Sequence, residues 1–397
     1  MAIKVLMMGG RRCGKTSALA SLFYQMINGE TKSILSVSDV TQPQIKTDPQ
    51  TGKEISQDSL ETKRLELQYF MSKGMGEVTK NAPFMVDDNA TRIYWDYTLQ
   101  VKIPGTQKST EIIFRDSNGE YFEDQTDHGE ETKNFLKECD VFVIVVDTPY
   151  LMNQNQTIAE AANMVDSIHR FINDLDAGAE GQGLKQVIFV PIKCEKWIHE
   201  GRIDDVIAKV EDVYDATLEE LKHRNNTEIS IIPIQTAGNI DFYELRPSYV
   251  VYTQINGKTM REKCSRISDR IVVKKSGKNY FLKPGDKVLE DPEALFTGKD
   301  GKPTSIPRPS EWFKLRQDKD GVAKYEPKNC EQLALHIIRF VFNKLENESK
   351  GGLLGWLSGV FFGTITKADM QTALHSLADR HLIKDGGDGI TRVKKIF

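Results

Sequence analysis

The sequence has little cysteine and no surplus of positive charge. Its five cysteines lie far apart without C-x-x-C spacing, which indicates neither a disulfide framework nor a zinc site. Its seven histidines also form no metal-ligand spacing. A net charge of −4 with both signs interspersed lacks the concentrated basic surface that a nucleic-acid groove needs. We therefore expect a chain that does not bind nucleic acid.

Leader-like and membrane-spanning segments are also missing from the sequence. An apolar run over residues 3–8 begins at once, with no n-region, h-region or cleavage site, so we expect a cytoplasmic protein. The apolar stretch 351–365 has glycine at four-residue intervals from Gly351 to Gly363, and it is shorter than the about 20 residues that span a bilayer. It predicts a buried or self-associating segment, or alternatively a weak membrane contact or an irregular apolar loop.

A glycine-rich loop lies between the first apolar run and the first helical pattern. Residues 9–16 fit the pattern G-x-x-x-x-G-K-[ST] and join a strand candidate to a helix candidate. In such a loop several backbone N–H groups point into one concavity, where a phosphate binds at the helix N-terminus. Lys15 would reach the β- and γ-phosphates, and Thr16 would ligate Mg²⁺. The residues predicted to contact a nucleotide here are Gly9, Gly10, Arg11, Arg12, Cys13, Gly14, Lys15, Thr16 and Ser17.

A second motif, D-x-x-G, follows the apolar strand candidate at residues 110–115. Asp116 would stand at the end of that strand and hold a Mg²⁺-bound water, while the Gly119 amide would meet a γ-phosphate. An ATPase of the AAA type would carry an Asp-Glu pair here, and Asp116-Ser117 is not that pair. The continuous apolar run that follows, residues 140–147, is typical of a strand covered on both faces of a parallel sheet.

The alternation of strand and helix patterns predicts an α/β fold with a doubly wound, mostly parallel sheet over residues 1–239. Residues 240–329 change to short β-like pieces and predict an insertion. A helical pattern over 330–348 predicts the helix that completes the first domain. Residues 350–397 predict a small C-terminal extension that consists of the apolar segment and a helix at 367–383.

Two further motifs lie after later strands, Ile-Lys-Cys-Glu at residues 192–195 and Gln-Thr-Ala-Gly at residues 235–238. With these four motifs in this order and spacing, the chain resembles the Ras-like, translation-factor class of P-loop GTPases. Its overall pattern is closest to the bacterial GTPase-like proteins of conflict and regulatory systems. The resemblance implies a GTPase-like fold, GTP and GDP as ligands, Mg²⁺ as the metal, and a protein effector or activator as partner.

The same resemblance assigns the base-recognition residues. Lys193 would lie over the base, and Glu195 would accept from the ring N–H and amino groups of guanine. The Ala237 amide, next to Thr236, would contact the guanine oxygen. The first motif position holds Ile192, which cannot tether the phosphate loop, and Glu195 is one methylene longer than the family's aspartate. An ATP-binding enzyme of the same loop class is therefore the main alternative, and a scaffold that binds nucleotide without turnover is another.

The residues predicted to act on the γ-phosphate also depart from the family pattern. Glu120 stands where a glutamine usually orients the attacking water, so we expect slow hydrolysis or a base role for Glu120. Either Arg11 or Arg12 bends over the phosphates and stabilises transition-state charge, or both side chains point to solvent or to an acidic partner. Thr91, with Thr79 as the alternative, is the predicted switch threonine and metal ligand. We expect nucleotide state to order residues 30–90 and 120–131.

Overall fold

The computed structural model describes residues 2–10, 13–28, 36–47, 52–69, 84–85, 94–102, 109–117, 135, 138–174, 185–224, 227–246, 248–255, 258–267, 270–275, 278–281, 288–290, 295–297, 303–316, 324–349, 383–385 and 387–394. Its strands are β1 Ala2–Met8, β2 Ser36–Asp39, β3 Ile45–Thr47, β4 Glu54–Ser56, β5 Phe84–Met85, β6 Trp95–Lys102, β7 Ser109–Asp116, β8 Val141–Asp147, β9 Lys185–Ile192, β10 Thr227–Ile231, β11 Ile240–Arg246, β12 Ser248–Ile255, β13 Lys258–Ile267, β14 Arg270–Lys275, β15 Lys278–Phe281, β16 Val288–Glu290, β17 Leu295–Thr297, β18 Pro303–Pro307, β19 Ser310–Leu315, β20 Ile383–Asp385 and β21 Ile390–Val393. Its helices are α1 Lys15–Asn28, α2 Leu60–Tyr69, α3 Thr148–Leu151, α4 Gln156–Ala162, α5 Val165–Asp174, α6 Glu195–His199, α7 Ile203–Val213, α8 Asp215–Lys222 and α9 Cys330–Ser349.

The main sheet has nine strands in the order β2-β6-β7-β1-β8-β9-β10-β21-β20. The neighbours from β7 to β21 are parallel, and the β2-β6, β6-β7 and β20-β21 pairs at the two sides are antiparallel. This arrangement confirms the predicted α/β fold with a mostly parallel sheet. Because parallel strands share one carboxyl edge, the loops after β1, β7, β8 and β9 converge there.

Helices cover both faces of the sheet. On one face α1 and α9 pack against the centre through residues such as Leu22 and Ile337. On the other face α5, α7 and α8 contribute Ile168, Val210 and Leu221. All seven residues of β8 are buried, as an apolar run between two helical layers requires. Each fully buried Leu, Ile or Phe side chain contributes roughly 1.5–3 kcal/mol to the free energy of unfolding. The two apolar cores, one on each face of the sheet, therefore hold its carboxyl edge in place.

Between β10 and α9 the chain forms additional antiparallel sheets. The first has the order β11-β19-β5 and also takes in β5 from earlier in the chain, the second has the order β15-β14-β13-β12-β16, and β17 pairs with β18. Near the end of the chain, β21 pairs with β10 in parallel and so extends the main sheet. In the part of the chain that the structure describes, no helix is long and apolar enough to cross a membrane. The apolar stretch 351–365 and the predicted helix at 367–383 lie outside that part, apart from residue 383 in β20.

Candidate functional site

The loop between β1 and α1 packs so closely that two positions admit only glycine. Gly9 has φ +148°, and a Cβ there would lie 2.6 Å from the Val145 carbonyl oxygen. A Cβ on Gly10 would lie 2.3 Å from the Ala162 carbonyl oxygen. Gly14, just before α1, has φ +103°, which residues with side chains rarely adopt. Backbone packing against β8 and α4 therefore sets the shape of the loop.

This packing predicts a large cost for a single methyl group. We expect Gly10→Ala to lower the free energy of unfolding by about 2–3 kcal/mol, because the carbonyl in its way belongs to the backbone. The control is Gly201→Ala at φ +68°, where a Cβ meets nothing within 4 Å and only the roughly 1–2 kcal/mol of left-handed strain applies. Urea unfolding measures both variants, and an equal or smaller cost at Gly10 contradicts the packing argument.

Lys15 begins α1, and its ammonium group lies within the loop. The side chain is buried, and Nζ donates to the carbonyl oxygens of Gly9 and Gly10, both at 3.1 Å. Cys13 Sγ lies 3.9 Å from the same Nζ, and burial raises the pKa of its thiol, which is therefore a neutral neighbour. Ser17 is half-buried in the first turn of α1. The ammonium and the helix N-terminus together create a positive potential that favours an anion.

The strand ends bring Asp116 next to this lysine. Because β7 runs parallel to β1, Asp116 is paired in register with Met7 at the carboxyl edge. Thr16 Oγ1 donates to Asp116 Oδ2, and Ser117 Oγ donates to the Met7 carbonyl oxygen at 2.5 Å. Burial raises the pKa of Asp116, opposed by the Lys15 ammonium and by the Thr16 hydrogen bond. Two of the predicted metal ligands, Thr16 and Asp116, are thus in contact.

A hydroxyl and a carboxylate in contact are oxygen donors of the type that Mg²⁺ takes. Among the described residues, no group of three or more His, Cys, Asp and Glu side chains is placed to hold a metal ion. Magnesium does not need one, because it usually binds one or two carboxylates and takes its other ligands from water and phosphate. Thr16 and Asp116 therefore fit a magnesium ion that is shared with a bound phosphate.

The third motif brings a second lysine over the loop. Lys193 has φ +57°, and its Cε would be 3.7 Å from a Cβ on Gly14. Its Nζ donates to Asp147 Oδ2 at 2.7 Å and also to Glu311 Oε2. Ile192 Cδ1 would be 3.1 Å from the same Cβ, so this position packs on the loop through an apolar contact instead of a polar tether.

Glu195 contacts the last motif directly. Its Oε1 accepts from the Thr236 amide at 2.8 Å, the Ala237 amide at 2.7 Å and the Thr236 hydroxyl at 3.2 Å. The side chain is buried, and burial raises its pKa against the opposing effect of these hydrogen bonds. The Glu195 carboxylate and the Ala237 amide, which the resemblance assigns to guanine, therefore form a hydrogen bond with each other.

The loop that carries Thr236 is tied to α1 and to the segment before α9. Ser21 Oγ donates to the Thr236 carbonyl oxygen at 2.7 Å and is 2.9 Å from the Tyr325 hydroxyl oxygen. Backbone bridges join Gln235 to Lys328 and Gly238 to Tyr325. These contacts hold the last motif against the helix that begins with Lys15.

Several predicted site residues lie outside the described residues: Arg11, Arg12, Gly119, Glu120, and Thr91 with its alternative Thr79. Other residues near the site were not predicted from the sequence. Asp147 ends the apolar run 140–147 and is the last residue of β8, and its position at the carboxyl end of a central strand was the available signal. Glu311 and Ser21 gave no signal, because their partners are 118 and 215 residues away in the chain.

No model of a known protein family matches the chain, and no curated protein matches it either. Among solved structures the chain is similar to the GTPase-like domain of Ski7 from S. cerevisiae bound to GDP and inorganic phosphate. That match has 11% identity and a TM-score of 0.29, and it covers 82% of this chain and 74% of that one. The same domain bound to GTP matches with 11% identity and a TM-score of 0.30, over 81% of this chain and 76% of that one.

Proposed function

We propose that this chain is a Mg²⁺-dependent, GTP-binding molecular switch. The observation that supports this most is the contact between Thr16 and Asp116, next to the buried Lys15 ammonium, in a loop that admits only glycine at Gly9 and Gly10. In the proposal the loop N–H groups and Lys15 bind the phosphates, and Thr16 and Asp116 hold the ion. Magnesium, when bound, neutralises phosphate charge.

Guanine is the base that suits these hydrogen-bonding groups best. Its edge presents two N–H donors beside one oxygen acceptor, and Glu195 with the Ala237 amide presents an acceptor beside a donor. In the proposal the base replaces the hydrogen bond between Ala237 and Glu195, while the Thr236 amide keeps its bond to the carboxylate. Buried groups left unpaired by the wrong base would then reject it.

The base assignment is tested with Glu195→Gln. The amide oxygen can still accept from Thr236 and Ala237, so the loop is retained, but the charged acceptor for guanine is lost. We expect the preference for GDP over ADP to fall ~10-fold, measured by titration calorimetry. Glu200→Gln is the control, since Glu200 is exposed and pairs with Arg202. An unchanged preference in Glu195→Gln contradicts the assignment.

An ATP-binding enzyme of the same loop class is the second candidate. The apolar contact of Ile192 with the loop and the extra methylene of Glu195 both favour it, because neither is the usual guanine-specific residue. Under this candidate ADP binds at least as tightly as GDP, and the same titrations measure that.

Turnover and switching are part of the proposal. Hydrolysis is slow or stimulated by a partner, with Glu120 and Arg11 as the residues near the γ-phosphate and Thr91 as the switch ligand. A protein effector binds one nucleotide state, or an activator stimulates hydrolysis, in the cytoplasm as part of a bacterial regulatory or conflict system. The alternative, a scaffold without turnover that recruits partners through residues 240–329 and 350–397, predicts no phosphate release from bound GTP in single-turnover assays.

Self-association or weak membrane contact through residues 351–365 also belongs to the proposal. The glycine spacing and apolar content of that stretch support it.

A further inference from the structure

Two strands from the segment between β10 and α9 pack against the base side of the candidate site. β11 and β19 are antiparallel neighbours. Phe242 on β11 stacks on Trp197 of α6, with ring centroids 5.9 Å apart and an interplanar angle of 13°. His199 Nδ1 and Asp241 Oδ1 are 2.6 Å apart at the same boundary. The helix that begins with Glu195 is therefore in direct contact with this strand pair.

β19 also delivers a carboxylate to the site. Glu311 pairs in register with Leu245 on β11, and its Oε2 accepts from Lys193 Nζ. On its other side the same ammonium contacts Asp147 at 2.7 Å. The side chains of Lys193, Asp147 and Glu311 are only 15%, 2% and 9% exposed. Water screens such buried, charge-assisted hydrogen bonds little, so they hold the ammonium more firmly than surface ion pairs do.

The lysine that is held in this way lies close to Gly14, at the end of the loop before α1. Its Cε approaches Gly14, and its backbone has the left-handed φ of +57°. A lysine stem has four rotatable bonds, and an unanchored one would lose much conformational freedom on ordering against a base. Anchoring by two carboxylates removes that loss in advance, which is how preorganisation increases affinity.

We propose that Glu311 is a positioning residue for base binding: through Lys193 it fixes the base side of the nucleotide site, so that the β11–β19 pair is a working part of that site. This inference rests on the proposed function. It assigns a role in base binding to the segment between β10 and α9. Phosphate binding does not depend on this segment, because Lys15, Thr16 and Asp116 make their contacts without it.

The test compares a ligand that has a base with one that lacks it. Wild type, Glu311→Gln and Glu311→Ala are titrated with GDP and with inorganic tripolyphosphate in the presence of Mg²⁺. We expect Glu311→Ala to weaken GDP binding ~10-fold and to leave tripolyphosphate binding unchanged. Glu311→Gln, which keeps an oxygen acceptor and the side-chain volume, is expected to lose less.

The matched control is Glu244→Gln. Glu244 lies on β11 opposite Trp312, is 41% exposed on its side chain and pairs with Arg246, not with Lys193. It is expected to bind both ligands as wild type does. Thermal unfolding of each variant checks that the fold is kept. If Glu311→Ala is poorly folded, the comparison of GDP with tripolyphosphate binding is made on Glu311→Gln.

The possible results separate the inference from the proposed function. If wild type binds neither GDP nor tripolyphosphate, the proposed function fails and the inference falls with it. If wild type binds GDP and both Glu311 variants bind it unchanged, Glu311 has no positioning role. Tighter GDP binding in the variants means that Glu311 competes for Lys193, and an equal loss of tripolyphosphate means that the effect is not specific to the base side; each overturns the inference.

Discussion

Replacing Lys15 with alanine is expected to weaken binding of a GTP analogue by ~10²-fold or more. Each hydrogen bond from the ammonium to a charged phosphate is worth about 1.5–3 kcal/mol, and about 1.4 kcal/mol corresponds to a tenfold change. Lys15 is buried within the loop, and Lys193, which also lies near the loop, has its ammonium in contact with Asp147 and Glu311. Titration calorimetry with Mg²⁺ measures the loss.

The control for this variant is Lys4→Ala. Lys4 is on β1, the strand before the loop, but its ammonium pairs with Glu138 at the surface, where the lysine side chain is 30% exposed. Its loss is expected to leave affinity for the GTP analogue unchanged. If Lys15→Ala binds the analogue as tightly as wild type while remaining folded, the interpretation of residues 9–16 as a phosphate-binding loop is wrong.

The second large effect is expected at Asp116. Asp116→Asn removes the charged metal ligand beside Thr16, so the gain in affinity for a GTP analogue on adding Mg²⁺ should fall by ~10-fold or more. The control is Asp140→Asn, since Asp140 pairs with Lys185 at the start of β8, away from the carboxyl edge. A full magnesium effect in Asp116→Asn contradicts the assignment of this carboxylate.

Asp116→Asn is also expected to stabilise the protein at neutral pH when no ligand is bound. Burial raises the folded-state pKa of both Asp116 and Glu195 above their ordinary values, which are about 4. A raised pKa means that the folded state holds its proton more tightly, so stability is greatest below the ordinary pKa and declines as the pH rises through the raised value. We therefore expect a higher melting temperature for Asp116→Asn than for wild type at pH 7, and a smaller difference at pH 4.

The strand–loop–helix at the N-terminus and the strand before Asp116 were predictable because local patterns determine them. Apolar runs, the glycine spacing and the helical recurrence after Lys15 all occur within a few residues of each other. The alternating pattern at residues 91–103, the turn around residues 104–105 and the strand pattern at 110–115 likewise predict an antiparallel hairpin, and β6 pairs with β7 in this way. Their positions at one sheet edge then followed from the parallel topology.

The helix breaks were not predictable from periodicity. One apolar stripe runs from residue 158 to 175, and the pattern predicts a single helix, yet α4 ends at Ala162 and α5 begins at Val165. The Asn163 side chain accepts from the Asp147 amide at 2.6 Å, and Met164 has φ +53°. A tertiary contact with the end of β8 therefore interrupts a stripe that is otherwise continuous.

Contacts in the site between residues far apart in the chain could not be predicted from the sequence either. The motif at residues 192–195 predicted Lys193 and Glu195 as site residues, but it gave no indication that Glu311 would contact this lysine from β19. The tie between Ser21 and Tyr325 joins residues 304 apart. The Glu311 contact depends on how the β11–β19 pair packs on α6, and the Ser21 contact depends on how the segment before α9 lies against α1. No local pattern encodes either.

The central claim is that this site binds a guanine nucleotide through Glu195 and the Ala237 amide. The most direct measurement is calorimetric titration of the wild-type chain with GDP and with ADP, both with Mg²⁺. Guanine satisfies the buried carboxylate and the amide together, whereas adenine lacks the ring N–H and the oxygen, so we expect GDP to bind ~10²-fold or more tightly than ADP. Binding of ADP as tightly as GDP would contradict the account.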